Sequence, residues 1–308
     1  MADEIFVWMN GQVMPRDQAV VSVFDASFQS GDSVWEGLRV YGGMVFRLED
    51  HLRRLRESAK ALDVSLPPVE ELVRGIYEVL DRSGLDDGVH IRLIVSRGTR
   101  KTSGMDPRNV VGQSTVVIIP ERKAVAEDPE PMRLATSYVR RPTPDTTDAA
   151  IHHSNQLNTI LARLSAYRSG ADAALMLDPW GFVAESDTAS IFCVLRDEVV
   201  TPEYGVFVRG ITRSTVLDLC AEMGLTVSER RLTLAEVYSA DEVFVCGTVC
   251  ELVPVLEVDG RQIGGGRRGP KYLQLLRAYR SRVREEAKTR LAHGREPLIE
   301  LTVEAAGR

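Results

Sequence analysis

Apolar and polar residues alternate through 5–12 and again through 19–24, around an Asn10-Gly11 dipeptide. Asn-Gly flanked by alternating segments is the strongest short-range hairpin signal, because both residues tolerate positive φ, so a β-meander is expected to open the fold. Segments 34–40 and 44–48, joined by Tyr41-Gly42-Gly43, predict a second hairpin. Over 48–64 the period changes: Leu52, Leu55, Ala59 and Leu62 recur at helical spacing, which predicts an amphipathic helix. A second helix is expected over 69–83, and the β-branched runs 90–96 and 114–119 read as sheet strands. Strands and helices are grouped rather than strictly alternating.

Between 120 and 131 the chain reads PERKAVAEDPEP, charged and proline-bearing with little to bury. Such a segment suits a connection, so two domains are expected: a small one over 1–120, a linker at 121–131, and a larger one over 132–308. The second unit is expected to start at 132–139. It carries helices near 155–170 and 213–223 and strands at 173–177, 190–195, 243–246 and 253–258. After Lys271 the tail is charged and helical, followed by a short apolar stretch at 298–303. The class is mixed, α+β or α/β, without internal repeats.

The composition narrows the function. Of 308 residues, 44 % are apolar and 27 % charged, values of an ordinary globular protein rather than a disordered or fibrous one. A net charge of −6 with no basic block argues against nucleic acid as a partner. The acidic start MADEIFVWMN is unlike a secretory signal, and no apolar run reaches the roughly 18 residues needed to span a bilayer, so a soluble cytoplasmic protein is expected. The four cysteines form no CxxC pair, which points to reduced thiols and no metal site.

Gly264 to Gly269 satisfies GxGxxG but follows a strand and an Asp259-Gly260 turn late in the domain, with no acidic residue some 20 positions on, so it reads as a loop. Gly210-Ile211-Thr212-Arg213 before a helix is either an anion site built from free backbone N–H groups or a plain N-cap by Thr212. Gly247-Thr248-Val249-Cys250 stands at a strand end, where ligands gather in α/β proteins, or is an ordinary turn. Glu185, between strand-like segments, either faces a pocket or water. Arg54, one turn after His51, is exposed or binds phosphate through its planar fork. Arg92 lies in the apolar run HIRLIVS and needs an anionic partner or the open face of the sheet.

Together these pieces resemble the class IV aminotransferases, fold-type IV enzymes that use pyridoxal 5′-phosphate (PLP). The similarity runs through VWEGLRVYGGMVFRLEDHLRRLRESAK, GADAALMLDPWGFVAES, GITR before a helix, ERRLTLAEVYSADEVFVCGT and VDGRQIGGGRRGP. The branched-chain group is nearest. The resemblance implies a D-amino acid aminotransferase-like fold of two domains, usually a homodimer. It implies that Arg54, Ile211, Thr212 and Thr248 hold the cofactor phosphate. Glu185 would pair with the pyridine nitrogen, keeping the ring an electron sink, with Asn155 and Ser190 nearby. Arg92 would read the substrate carboxylate, and Trp35, Val249 and Cys250 would line the substrate pocket. Amino transfer between an amino acid and a 2-oxo acid follows.

One departure outweighs the agreements. In the register of AIHHSNQLNTILA, the family's Schiff-base lysine falls on Ala150, and a methyl group can neither form an imine nor shuttle a proton. None of the five lysines, Lys60, Lys101, Lys123, Lys271 and Lys288, stands in a segment that replaces it. An engineered Lys→Ala variant of a working aminotransferase is the favoured expectation. It would hold PLP, pyridoxamine phosphate or an external aldimine adduct without a covalent link to protein. A natural pseudoenzyme or PLP-independent protein on the same scaffold, and an aminodeoxychorismate-type lyase, are the alternatives. A slipped register would bring His152 or His153 to the ring instead. Ser30, His90 and Trp35 stand where branched-chain enzymes carry tyrosine, tyrosine and phenylalanine, so the substrate is expected only as an amino acid/2-oxo acid pair.

Overall fold

The computed structural model describes residues 5–293, so the apolar stretch at 298–303 lies outside the described residues. The first half contains β1 (Phe6–Met9), β2 (Gln12–Pro15), α1 (Ala26–Ser30), β3 (Ser33–Tyr41), β4 (Met44–Val45), α2 (Leu48–Leu62), α3 (Val69–Ser83), β5 (Val89–Ser96), β6 (Thr99–Arg100), β7 (Val110–Val111) and β8 (Thr115–Arg122). Six of these strands form an antiparallel sheet in the order β2-β1-β8-β5-β3-β4, while β6 and β7 pair separately. Along β3 and β5 the period-2 alternation separates two faces. Val34, Leu38, Val40, Ile91 and Leu93 are buried in one core with Leu52 and Leu55 of α2 and Leu72 and Ile76 of α3. Trp35, Gly37 and Arg39 alternate with that set, and register pairs Gly37 with Arg92 and Arg39 with His90.

The Asn10-Gly11 turn forms as expected, with φ of 48° and 91°, but its second strand is β2 and not 19–24. A two-residue turn requires pairing to resume at once, so Met9 meets Gln12. Pro15 and a 3-10 turn at Arg16–Gln18 then end the hairpin, and Val20 and Val23 are left exposed.

The second half contains β9 (Met132–Thr136), α4 (Leu157–Arg168), β10 (Ala173–Leu177), β11 (Val183–Ser186), β12 (Ser190–Leu195), β13 (Glu198–Thr201), α5 (Ile211–Glu222), β14 (Val227–Glu229), α6 (Leu234–Tyr238), β15 (Glu242–Gly247), β16 (Glu251–Val258), β17 (Arg261–Gln262) and α7 (Pro270–His293). Its nine-stranded sheet runs β11-β10-β9-β16-β15-β12-β13-β14, with β17 on β16, and is mixed: β9 pairs parallel with β10 and β16, and β13 with β14. The strands are near-continuous apolar runs because both faces are covered. Ile191, Cys193, Val243 and Val245 enter one core, and Phe192, Val194 and Phe244 enter another against α5 and α7. The glycine-rich run after β17 is a loop, with φ of 52° at Gly264 and 66° at Gly266.

The two halves meet at named contacts. Phe46 packs edge-on to Tyr279 of α7 with ring centroids 5.7 Å apart. Tyr41 donates to Glu251 at 2.8 Å, and Glu251 also pairs with Arg280 at 2.9 Å. Among the described residues, no helix is long and apolar enough to cross a membrane.

At Gly75 α3 comes close against the sheet: a Cβ there would stand 2.6 Å from the ring of Trp8, a fully buried residue. In an open helix Gly→Ala gains about 1 kcal/mol, whereas overpacking a core costs about 1–3 kcal/mol. Because the rigid indole cannot yield, Gly75→Ala should lower stability by about 1–2 kcal/mol, read as a fall in urea midpoint at unchanged slope.

Candidate active site

A cleft of about 790 Å³ opens between the odd-numbered face of β3 and the ends of the second sheet. Trp35, Arg54, Arg92 and Asn155 line it, with Glu185 and Ser190. So do Ile211, Thr212, Thr248, Val249 and Cys250. The structure thus gathers onto one surface residues from both halves of the chain, whose separate sequence signals were each open to a bland explanation.

One end of the cleft is built for an anion. Helix α5 starts at Gly210, which offers no side-chain cap, so the first-turn N–H groups of Ile211 and Thr212 carry the exposed positive end of the helix. Thr212 is therefore inside the helix and is not its N-cap. The Arg213 guanidinium is buried and committed to Pro202 O and Glu229. A side chain at 210 would crowd Ser190, whose Oγ would lie 2.8 Å from the new Cβ, so glycine keeps this helix end open. Thr248 and Val249 sit in the turn between β15 and β16, on the same lining.

Arg54 closes this end from α2, anchored to the first sheet through Glu36. Its Nε and Nη2 donate to the two carboxylate oxygens of Glu36 at 2.8 and 2.6 Å, and Nη1 donates to Arg209 O at 2.8 Å, just before α5. Glu36 is fully buried on β3 and also meets His51 Nδ1 at 2.7 Å and His152 Nδ1 at 3.3 Å. Burial alone would raise its pKa, but Arg54 and His152 overcome that and hold the carboxyl well below the usual range. Burial does the opposite for His152, lowering its pKa to about 4 despite Glu36, with the Arg54 charge adding to the shift. Glu36 was given no role in the sequence, where an acid in the apolar run VWEGLRV was the available hint, and His152 entered only through a slipped register of AIHHSNQLNTILA.

At another wall, Glu185 of β11 is buried, with Oε1 3.0 Å from Arg141 Nε. Burial pushes its pKa up to about 7, opposed by Arg141 and reinforced by Asp187. A solvated turn residue would show neither the burial nor the shift. Asp187 is itself clamped by Arg163 at 2.7 Å.

A third group lies on the odd face of the first sheet. The Arg92 guanidinium stacks over the Trp35 ring at 4.0 Å, and Lys123 Nζ lies 3.4 Å from His90 Nδ1 and 3.0 Å from Glu121. Lys123 was expected in the linker, away from the chemistry. It lines the cleft because β8 runs on to Arg122, past the expected end of the strand.

Residues 33–258 match the family Amino-transferase class IV. The chain belongs to the class IV aminotransferases. Among curated relatives, branched-chain-amino-acid aminotransferase-like protein 2 of Arabidopsis thaliana is 43 % identical over 90 % of this chain, which spans about half of that protein's length. A putative branched-chain-amino-acid aminotransferase of Methanocaldococcus jannaschii is 40 % identical over 85 % of this chain and 91 % of its own. Among solved structures, the branched-chain aminotransferase of the thermophilic archaeon Thermoproteus uzoniensis with norvaline superposes with a TM-score of 0.86 at 31 % identity, over 94 % of this chain and 97 % of that one. The PLP-form of the Thermobaculum terrenum branched-chain amino acid aminotransferase superposes with a TM-score of 0.83 at 28 % identity, over 95 % of this chain and 97 % of that one.

In this class IV aminotransferase Ala150 is exposed in a turn and is absent from the cleft lining, to which Ala149, Ile151, His152 and His153 contribute instead. The turn rotates side chain 150 outward, its N–H bonded to Asp148 at 2.9 Å. The backbone returns to the first sheet only at His152, whose O accepts from Trp35 N at 3.0 Å and whose N donates to Ser58 Oγ at 3.0 Å.

The Glu185 shift fixes the sign of a pH effect. A carboxyl whose pKa is raised in the folded state binds more protons there than in the unfolded chain, so its contribution to stability falls as pH rises from about 4.5 to about 7. In the ligand-free protein, wild type should lose on the order of 1–3 kcal/mol relative to Glu185→Gln across that window, measured by urea denaturation at successive pH values.

Proposed function

We propose that this chain holds pyridoxal 5′-phosphate without a covalent bond and serves amino transfer between an amino acid and a 2-oxo acid. The observation that carries this is the pairing, in one cleft, of an uncapped helix N-terminus facing Arg54 with a buried carboxylate, Glu185, on another wall. A phosphate suits the first and a protonated ring nitrogen the second, so the residues present fit the group. Ile211 and Thr212 N–H, Arg54 and Thr248 hold the phosphate, and Asn155 and Ser190 flank the ring. Glu185 accepts the ring N–H and draws its charge away from Arg141. The bound coenzyme supplies the electron sink that weakens the Cα–H bond of the amino acid.

Arg92, held flat on Trp35, meets the substrate carboxylate, and Val249 and Cys250 close the pocket beside it. Among the described residues, the lysine that lines the cleft is Lys123, tied to Glu121 on the wall of His90 and Arg92. Beside Arg54 and Trp35, residue 152 presents an imidazole in place of an amine. The exposure of Ala150 and the presence of His152 in the cleft lining support residue 152, rather than 150, as the position that lacks the tether.

Titration of the dialysed chain with PLP should quench tryptophan fluorescence saturably. Borohydride treatment should leave no coenzyme on a cleft peptide. His152→Lys should acquire that adduct and Ala150→Lys should not. Arg54→Ala should weaken binding about 10-fold or more, as loss of charge-assisted hydrogen bonds implies. A chain that takes up no PLP overturns the proposal.

We further propose a homodimer. Leu157, Ile160, Leu161, Leu164 and Tyr167 form an exposed apolar stripe on α4, opposite the buried Thr159, Ala162 and Ala166. Arg163, on the same helix, lines the cleft, so a second copy covering this stripe stands at the cleft edge. Leu161→Glu should convert the dimer to monomer in size-exclusion chromatography with light scattering.

A further inference from the structure

We propose that His152 takes the α-proton of the bound amino acid and returns it, with Glu36 as its positioning residue. This deepens the function proposed above and rests on it. The ring of His152 lines the cleft beside Trp35 and Arg54, with ring centroids of His152 and Trp35 4.1 Å apart and tilted by 35°. Its backbone is pinned on both sides, to Trp35 N and Ser58 Oγ, so the ring does not depend on a mobile loop for its place.

The tautomer follows from its partner. An ionised carboxylate only accepts, so Nδ1 facing Glu36 at 3.3 Å carries the proton and Nε2 keeps its lone pair. Nε2 has no partner among the described residues and is the nitrogen left to the cleft. The groups that face His152 are Glu36 from β3 and Arg54 and His51 from α2, and their balance with burial leaves the imidazole neutral at pH 7. This is the arrangement in which a base is oriented by a third group: carboxylate, imidazole, reacting atom.

Other bases in the region are committed. His51 is enclosed behind Glu36, His153 Nδ1 accepts from Asn155 N at 3.1 Å, and Glu185 is engaged by Arg141. His90 and Lys123 lie together on the Arg92 wall.

The step balances without any further reactant. The Cα–H bond breaks, the proton moves to Nε2, and the electron pair stays with the substrate and its coenzyme. The imidazolium so formed is neutralised by the Glu36 carboxylate, and the same proton is handed back to carbon. A positioned base of this kind contributes about 10²–10⁴-fold. The chain would then retain proton transfer while lacking the tether, two tasks that one lysine amine would otherwise combine.

Two measurements on the full chain test this. In the coenzyme-free protein, long-range ¹H–¹⁵N NMR at pH 7 should show His152 protonated at Nδ1 and bare at Nε2; a proton on Nε2 overturns the assignment. In D₂O with PLP and L-alanine or L-glutamate, wild type should exchange the α-hydrogen. His152→Gln should slow that exchange about 100-fold or more with PLP affinity within about 3-fold of wild type. Added imidazole should restore exchange to His152→Ala in proportion to its concentration, which a merely structural role would not produce. Unchanged exchange in His152→Gln, or no rescue, sinks the role of His152 while leaving PLP binding standing; absence of PLP uptake by wild type sinks the function itself.

Discussion

A carboxylate with no solvent around it governs the first half of this protein. Glu36 is fully buried, and an ionised group in that position is tolerable only if its lone pairs are filled by charged or polar donors. Arg54, His51 and His152 fill them. The same contacts join β3 to α2 and to the segment that re-enters the sheet at residue 152. They also set the plane of the Arg54 guanidinium, whose remaining edge reaches Arg209 O at the mouth of α5. The anion end of the cleft is thus assembled from both sheets through one acid.

Glu36 and Glu185 show how environment divides the work of a single residue type. Arg54 and His152 keep Glu36 charged against its burial, while burial with one arginine and a neighbouring aspartate raises the pKa of Glu185 to about 7. The first is a fixed structural charge. The second, paired with Arg141 at 3.0 Å on the cleft wall, has the burial and raised pKa that the proposed ring-nitrogen contact uses.

The second half contributes a helix end that opens onto the cleft, the uncapped N-terminus of α5. A Cβ at Gly210 would lie 2.8 Å from Ser190 Oγ, so a larger residue there requires that serine to move, and with glycine the first turn of α5 has no side-chain cap. The walls differ in character accordingly: backbone dipoles and Arg54 at one end, Arg92 and Lys123 across the sheet face, Glu185 between acidic and basic neighbours. An elongated ligand with an anionic end, an aromatic body and a carboxylate partner matches that sequence of surfaces.

The chain order by itself determined the element types, because period 2 along β3 and β5 and period 3.6 along α2 and α3 are local properties, as are the Asn10-Gly11 turn and the glycine start of α5. It also carried the family and most of the cleft residues, since Arg54, Glu185, Thr212 and Thr248 lie in short segments whose local shape follows from their own residues. Tertiary structure alone decided the rest. Segment 19–24 alternates like a strand but does not pair with β1, which the tight turn at Gly11 had already committed to β2; its end meets β6 instead, where Arg100 N donates to Phe24 O at 2.9 Å. Lys123 joined the cleft through the length of β8, and the placing of His152 on the cleft lining with Ala150 outside it follows from how the loop before α4 folds back. Pairing with Trp35 and Ser58, more than ninety residues away in sequence, points 152 inward and 150 out. Side-chain direction in such a segment is set by long-range hydrogen bonds, which local periodicity does not encode.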